Sequence, residues 1–378
     1  VATSSLDHQE MAVEVRQLTA LIGRIDDVAL DTALWPDVMQ EIAHSVGATG
    51  ACLLQADVRT PDVPKTAGIA DLFNAYFHGG WHLRDVRARA APLLIRGEKQ
   101  VITDVDCVTI EEMDHGEYYN DLLRPHKLRW FAAIGFASGN APWGLSIHRT
   151  AHEGLFDASD QRQLARLSGP LTAAATLSRA VGHRVLTGCL DGLAFCGEAA
   201  VAVDRFGRVL RSNRAAEDLF GPMLWVRNRQ LFLRDQKAEA DLTRVLVWLE
   251  SGQPIERLPV RRFPVRHQNR TTLICRVIPV PAGAATPFLG ARALLTFSEV
   301  KPQVGVDVEL LARSFDLTPA ESKLAALIGK GLTLADAALH LNVSIATVRN
   351  QLKAIFLKTE TRRQSDLVLL IGPFQNER

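Results

Sequence analysis

Three helix-start signals crowded into Leu317 to Ile371 constrain this chain more than any other feature of its sequence. Thr318-Pro319-Ala320-Glu321 is a capping box with proline at the first helical position: the threonine oxygen accepts an otherwise orphan backbone N–H, and Glu321 reaches back to the cap. Thr333-Leu334-Ala335-Asp336 repeats the device. Ser344 starts a third helix after Asn342, which stands where a helix must stop and the chain turn sharply. The stretch therefore reads as four short helices. Ala335, Ala338, Leu341, Val343, Val348, Leu352 and Ile355 are expected to share one small core, with Thr347, Arg349, Asn350 and Lys353 left outside. That is a helix-turn-helix with an exposed polar third helix. The overall charge of +1 says little about partners, but between Ser344 and Arg363 five basic residues (Arg349, Lys353, Lys358, Arg362, Arg363) face a single acid, Glu360. Such a balance suits a phosphate backbone.

The same stretch resembles the LuxR/GerE-type DNA-binding domain over about 55 residues. Glu321 matches the acidic residue of the family's first helix, Gly331 and Thr333 its loop, and Ser344, Thr347, Val348 and Arg349 its Ser-x-x-Thr-Val-Lys/Arg signature, which Lys353, Ile355 and Lys358 continue. It departs at Asn350, where histidine is common, at Ala337, where a larger aliphatic usually packs, and at Thr359-Glu360, where Leu-Gly is usual. The resemblance implies that the helix from Ser344 to Lys358 enters the major groove of double-stranded DNA. Arg349 and Asn350 are then the candidates for base edges, since arginine binds guanine and asparagine adenine with paired hydrogen bonds. Thr347, Lys353 and Lys358 would hold phosphates and register, with Arg362 or Arg363 adding a further contact. It also implies a last helix, Gln364 to Leu370, that joins two DNA-binding units through Leu367 and Leu370, unless these pack on Leu324 and Leu327 within one unit.

At 378 residues the chain is too long for one ordinary domain, and 47% hydrophobic with 22% charged residues allows proper cores. The expectation is a multidomain protein: an α+β sensor domain over residues 1–158, a helical connector over 159–189, a second α+β domain over 190–299, a linker over 300–315 and the all-α DNA-binding domain over 316–378. No apolar run approaches a membrane span, and the opening residues lack a signal pattern, so a cytoplasmic protein without membrane partners is expected. Five scattered cysteines without a C-x-x-C pair read as reduced, mostly buried thiols.

From Met11, Val15, Leu18, Ile22 and Ile25 recur at helical spacing. Asp26-Asp27, with Asp57 beyond the apolar run Ala51 to Leu54, thus fails as a phosphoacceptor receiver, whose acidic pair ends a buried strand; here the pair ends a helix. A helix over about Trp35 to Val46, a strand Ala48 to Gln55, and a hairpin of Leu128 to Ala137 with Trp143 to Arg149 turning on Ser138-Gly139-Asn140-Ala141 follow. This order resembles a GAF domain or the ligand-binding domain of LuxR-type autoinducer receptors. The insert from Leu72 to Trp130 gathers aromatics in a chain only 6% aromatic. Its candidates for a small-molecule site are Tyr76, Trp81, Asp85, Arg89, Tyr118, Tyr119 and Trp130, apolar walls with a few orienting polar groups. His78, His82 and Asp85 have metal-ligand spacing, but Gly79-Gly80 disfavours the continuous helix that such a site needs, and no metal or cofactor is expected.

Leu164, Leu167, Leu171, Ala174, Ser178, Val181 and Val185 are spaced as a two-stranded seam, interrupted by Gly169-Pro170. They fit a dimerising signal helix or, equally, a helix closing the first domain. From Glu198, two short strands around Asp204-x-x-Gly207 and the polar helix Ser212 to Phe220 resemble the opening of a PAS domain. Strands about Gln230 to Arg234, Ile255 to Arg266, Thr271 to Val280 and Ala291 to Ser298 would complete a half-barrel, with a structural and dimerising role. No Gly-x-Ser-x-Gly elbow, phosphate-binding glycine loop or His-Glu-x-x-His helix is present. Taken together, the sequence reads as a homodimeric, ligand-controlled transcriptional regulator that is not an enzyme, with DNA, a small-molecule effector and RNA polymerase as partners. The other classes are an enzyme of unrecognised type and an interaction scaffold without DNA binding.

Overall fold

The computed structural model describes residues 20–55, 62–253, 255–268, 270–300 and 306–374. The chain is a mixed α and β protein that divides into two units, one ending at Ser298 and one beginning at Glu299. Val15, Leu18, Asp57 and residues 301–305 of the expected linker lie outside the described residues. Among those described, no helix is long and apolar enough to cross a membrane.

The first half of the first unit opens with α1 (residues 20–27) and α2 (Trp35–Ser45). Trp35, Val38, Met39 and Ile42 of α2 are buried at helical spacing against β1 (Gly50–Gln55). The insert is a run of short helices, α3 (Ala70–His78) and α4 (Ala91–Ile95), then β2 (Val101–Thr103), α5 (Asp104–Cys107), α6 (Ile110–His115) and a π turn, Tyr118–Leu123. β3 (Leu128–Ser138) and β4 (Ala141–Thr150) form the expected hairpin, with Gly139 at φ +61 supplying the left-handed residue that a two-residue turn needs. The sheet order is β1-β4-β3-β2 and every pairing is antiparallel.

Two helices follow, α7 (Ala158–Ala165) and α8 (Ser168–Phe195). The break falls just before Gly169-Pro170, so Pro170 sits in the first turn of α8, where its missing N–H costs no hydrogen bond. Leu164, Leu167, Leu171, Ala174 and Ser178 of the expected seam are all buried inside this chain. Ser138 Oγ donates to the Ala175 carbonyl at 3.1 Å, and Asn213 Nδ2 to the Leu190 carbonyl at 3.0 Å. These five seam residues therefore close the first sheet and are withdrawn from any contact with a second copy, while Val181 is half-buried and Val185 is exposed; farther along α8, Leu186 and Leu190 pack on the second sheet.

The second half comprises β5 (Ala199–Asp204), β6 (Val209–Ser212), α9 (Arg214–Leu219), β7 (Leu224–Arg227), β8 (Gln230–Leu233), α10 (Gln236–Glu250), β9 (Arg262–His267), β10 (Arg270–Pro279) and β11 (Ala291–Glu299). The five-stranded sheet has the order β6-β5-β11-β10-β9, with β7 and β8 as a separate hairpin. Two elements were not read from the sequence: β7, and α10 with its Asp235 cap and buried Leu242, Val245 and Leu249. The expected strand at Ile255 is a short 3-10 turn, Ile255–Arg257. Asn213, fully satisfied, caps α9 by accepting from Ala216 N–H, accepts from Ala200 N–H, and donates to the carbonyls of Leu190 and Glu198.

The β10–β11 loop joins the two halves. Phe288 lies among Trp35, Phe136 and Trp143, with ring centroids 5.5, 6.1 and 5.0 Å away. Ser178 and Thr286 share a 2.8 Å hydrogen bond, and a Cβ on Gly182 would come within 2.6 Å of Thr286 Cγ2, so α8 needs glycine there. Arg205 and Arg292 both pair with Asp62.

The described residues of the second unit hold five α-helices: α11 (Val308–Ser314), α12 (Pro319–Gly329), α13 (Leu334–Leu341), α14 (Ile345–Lys358) and α15 (Gln364–Ile371). The expected linker over 300–315 therefore includes a helix, α11, capped by Asp307, whose Leu311 enters the shared core. Each cap read from the sequence is present: Thr318 with Glu321, Thr333 with Asp336 N–H, Ser344 with Thr347 N–H, and Asn342 in the left-handed region at φ 54. The core face of α13 keeps Ala338 and Leu341 of the expected one but takes Leu334 and Ala337 in place of Ala335. Ala337 and Ala338 are buried, Ala335 is exposed and Val343 is 38% exposed, because the inward face follows Leu334, Ala337, Ala338 and Leu341. Leu367 and Ile371 of α15 are fully buried in the unit's own core. Leu367 is thereby withdrawn from any contact between copies, while Leu370, the other residue of the expected pair, is half-buried and Leu369 is 78% exposed.

Phe288→Ala removes a ring held by three aromatic side chains. The expected result is a loss of about 3 to 5 kcal/mol, measured by urea denaturation of the full chain followed by tryptophan fluorescence.

Candidate functional site

In the second unit, α14 is seated by Val348, Leu352 and Ile355, spaced four and three residues apart. Thr347, Arg349, Asn350 and Lys353, on the remaining faces, are exposed, and no described residue holds the side chains of Arg349, Asn350 or Lys353. Ser344 Oγ accepts from Thr347 N–H at 3.1 Å and shares a 2.8 Å hydrogen bond with Thr347 Oγ1, so both hydroxyls help fix the start of the helix. Arg362 and Arg363 are exposed in the turn before α15. Lys358 is placed differently from the expectation. Its ammonium donates to Glu321 Oε2 at 2.7 Å and to the Asp316 carbonyl at 2.9 Å, tying the end of α14 to the start of α12. Those bonds, together with one from Thr318 N–H, hold the Glu321 carboxyl below its usual pKa, with Lys358 the first cause. Glu360, where the resemblance has glycine, adopts φ 53, which glycine adopts freely and glutamate does not.

In the first unit, the insert covers one face of the sheet and encloses a cavity of about 90 Å³. Phe131, Ala133 and Gly135 of β3 line it together with Gly144, Ser146 and His148 of β4, alternate residues as a pleated face requires. Ile69, Leu72, Phe73, Leu94, Ile102, Phe136 and Trp143 make it predominantly apolar. Of the seven expected ligand residues, Tyr76, Asp85 and Tyr118 line this cavity. Trp81, Arg89 and Tyr119 line a shallower outer groove, where Arg89 pairs with Glu112 at 2.8 Å and the Arg84 guanidinium covers the Trp81 ring at 3.9 Å. Trp130, one residue out of step with Phe131, lines neither. His78, at the end of α3, bonds the Asn74 carbonyl, and His82 lies against Phe77, so the spacing expected to suit a metal brings no cluster together here.

The arginine of the cavity is Arg87, two residues from the one expected. It is 5% exposed, and its Nε and Nη2 reach Asp104 at 3.0 and 2.9 Å, while Nη2 also donates to the Arg129 carbonyl at 2.7 Å. Asp104 in turn accepts from Tyr119 Oη at 2.5 Å and Phe131 N–H at 2.6 Å. Burial opposes the Arg87 charge, but Asp104, Tyr119 and Tyr118 outweigh it, and its pKa is raised. Across the cavity, Asp85 accepts from Tyr76 Oη at 2.9 Å and from the Arg87 N–H at 2.9 Å, and bonds the Tyr118 hydroxyl. His148, also missed, is buried, with Nε2 3.1 Å from Ser146 Oγ. Burial, then the Arg87 charge, lowers its pKa to about 3, so it is neutral at physiological pH. Among the described residues, neither Arg87 Nη1 nor His148 Nδ1 has a hydrogen-bond partner.

No family model matches the chain, and no curated protein sequence does. Among solved structures, a phage VqmA–DPO complex matches at 13% identity over 52% of this chain and 93% of that one, with a TM-score of 0.20. The Escherichia coli DhaR(N)–DhaL complex matches at 10% identity over 77% and 89%, with a TM-score of 0.24. A Vibrio cholerae VqmA dimer without target DNA, described among LuxR-type receptors, matches at 13% identity over 48% and 86%, with a TM-score of 0.15. Scores and identities this low carry no argument about this chain.

The unfolded chain takes up the His148 proton near pH 6.5 and the folded chain only near 3, so the contribution of the neutral imidazole is complete above 6.5 and declines as pH falls through that window. Between pH 6 and 4.5, His148→Gln is expected to flatten the decline in unfolding free energy by up to about 1.4 kcal/mol per pH unit, read from urea midpoints across the range.

Proposed function

We propose that the chain is a sequence-specific DNA-binding transcriptional regulator, with a LuxR-type helix-turn-helix unit and GAF-like and PAS-like sensor domains, controlled by a small molecule held in the first-unit cavity. The observation that carries the reading is α14 itself. It is a helix seated on an apolar core, started by a serine cap directly after a left-handed turn, with Thr347, Arg349, Asn350 and Lys353 exposed and the side chains of the last three uncommitted among the described residues. A free row of this composition fits a major groove: Arg349 and Asn350 on base edges, Thr347 and Lys353 with Arg362 and Arg363 on phosphates, and Ser344 fixing the helix start. Lys358 acts from within the unit, keeping α14 in place on α12.

The reading extends to a cytoplasmic homodimer presenting two such helices to half-sites about one helical turn apart, with RNA polymerase as a further partner. The open antiparallel sheet of the second half, with α8 and α9 against β5, supports the PAS-like assignment. The cavity walled by an insert over an antiparallel sheet supports the sensor assignment. Trp143 and Phe136 line the cavity and also touch Phe288, so an occupant and the β10–β11 loop bear on the same rings.

In a binding titration against a selected DNA site, Arg349→Ala is expected to cost about 1 to 3 kcal/mol and relax the preference at one base position. Lys353→Ala should weaken binding to all sequences and lower the salt slope by about one. Lys358→Ala should leave the salt slope unchanged while lowering the unit's stability by about 1 kcal/mol. Unaltered affinity and preference in Arg349→Ala would overturn the placement of α14. On the same reading the chain binds its effector without turning it over. A cavity-bound compound should be recovered unchanged after prolonged incubation with purified protein, and a product seen by mass spectrometry would refute this.

A further inference from the structure

Resting on the reading of the first-unit cavity as an effector site, we propose that its occupant is a small uncharged molecule, mainly apolar, whose carbonyl-type oxygen accepts a hydrogen bond from Arg87 Nη1, with His148 Nδ1 as the second polar contact. Most polar groups of the wall are already committed to one another. The hydroxyls of Tyr76 and Tyr118 bond Asp85, Arg87 Nε and Nη2 are committed to Asp104 and the Arg129 carbonyl, and Ser146 Oγ is committed to His148 Nε2. Arg87 Nη1, His148 Nδ1 and the Trp143 indole Nε1 remain, on residues more than nine-tenths buried that all line the cavity, without a partner among the described residues; of the three, the charged guanidinium makes the strongest hydrogen bond. A buried donor left unmade is costly, and an acceptor placed in the cavity removes that cost.

Charge decides between a carbonyl and a carboxylate. Asp104 already matches the guanidinium through two nitrogens, and Asp85 accepts from the Arg87 backbone N–H. A carboxylate against Nη1 would be a third anion around one cation, beside an Arg87–Asp104 pair whose burial leaves such charges poorly screened. A neutral oxygen takes the hydrogen bond without that repulsion. Size follows from the 90 Å³ volume, below the roughly 150 Å³ of an engineered cavity that binds benzene, so the occupant has at most about six non-hydrogen atoms.

Three probes separate the possibilities: cyclopentanone, its isostere methylenecyclopentane, and the anion cyclopropanecarboxylate, all with the same number of non-hydrogen atoms. Each is titrated at millimolar concentration into the full chain and read by NMR at the Trp143 indole. Cyclopentanone should bind about tenfold more tightly than methylenecyclopentane, with the carboxylate weakest, and Arg87→Lys, which keeps a cation against Asp104 but removes Nη1, should abolish the preference. If that variant does not fold, the wild-type Arg87 side-chain N–H resonances decide, since they should shift with cyclopentanone and not with methylenecyclopentane. Equal affinity for the two isosteres, tightest binding of the carboxylate, or no binding of any probe would overturn the proposal. The DNA titrations of Arg349→Ala are independent of these outcomes, so a ligand preference without DNA binding would sink the regulatory reading alone.

Discussion

The Asp104–Arg87 pair is the contact on which the first sheet's inner face depends. Asp104 begins a four-residue helix of the insert, Arg87 lies in a 3-10 segment seventeen residues earlier, and the carboxylate also takes the Phe131 N–H of β3. Two stretches of short helix, neither stable alone, are thus pinned to one strand. Two desolvated charges stabilise little by themselves, but removing one strands the other and costs about 3 to 5 kcal/mol, which makes the pair a register device for the insert. Once the insert is held there, the sheet face beneath it is covered, and alternate residues of β4 become cavity wall instead of solvent-facing surface.

The second unit depends in the same way on a carboxylate with several partners. Glu321 closes the capping box of α12 through Thr318 N–H and receives the Lys358 ammonium from the end of α14. One side chain therefore fixes where α12 starts and where α14 lies along it. Thr359, buried and bonded to the Ile355 carbonyl and the Thr361 hydroxyl, finishes α14, and Glu360 then turns the chain through a left-handed residue. The polar row of α14 is exposed because every constraint on the helix comes from its opposite face and its two ends.

That unit was legible in the sequence because caps are local. Thr318, Thr333, Asn342 and Ser344 each act on a backbone group within three or four residues, so spacing alone identifies them. Lys358 was not legible, since its partner Glu321 lies 37 residues away and nothing in a basic tract separates a lysine committed to a carboxylate from one left free. In the first unit the hairpin and α2 were readable by period and turn chemistry, and three of the insert's seven candidates, Tyr76, Asp85 and Tyr118, line the cavity. Its residues were sorted poorly. Arg87 and Arg89 sit two apart in a 3-10 turn, which puts one inward and the other on Glu112, a distinction no helical or strand period makes. Ser146 and His148 alternate with Leu145 and Ile147, a pattern that reads as polar outside and apolar inside until the insert's position is known. The Phe288 contact escaped for a further reason: a small-residue loop bracketed by prolines reads as surface, and a single aromatic at its end does not say which core it will enter.

The cavity's size bears on how far an occupant can shift the protein on the proposed reading. With about six non-hydrogen atoms and a ceiling near 1.5 kcal/mol per atom, total binding free energy cannot exceed roughly 9 kcal/mol. Moving a two-state equilibrium from 1:99 to 99:1 takes about 5.5 kcal/mol of difference in affinity between the states. More than half of the ceiling would have to discriminate between arrangements, and contacts made equally in both contribute nothing to the shift. Loose coupling through solvent-exposed loops cannot meet that demand. Shared close-packed rings can, because Trp143 and Phe136 touch both the cavity and Phe288, and a ring displaced by a few tenths of an ångström to admit an occupant must displace its neighbour. A small effector and a rigid aromatic relay are therefore consistent requirements, each making the other workable.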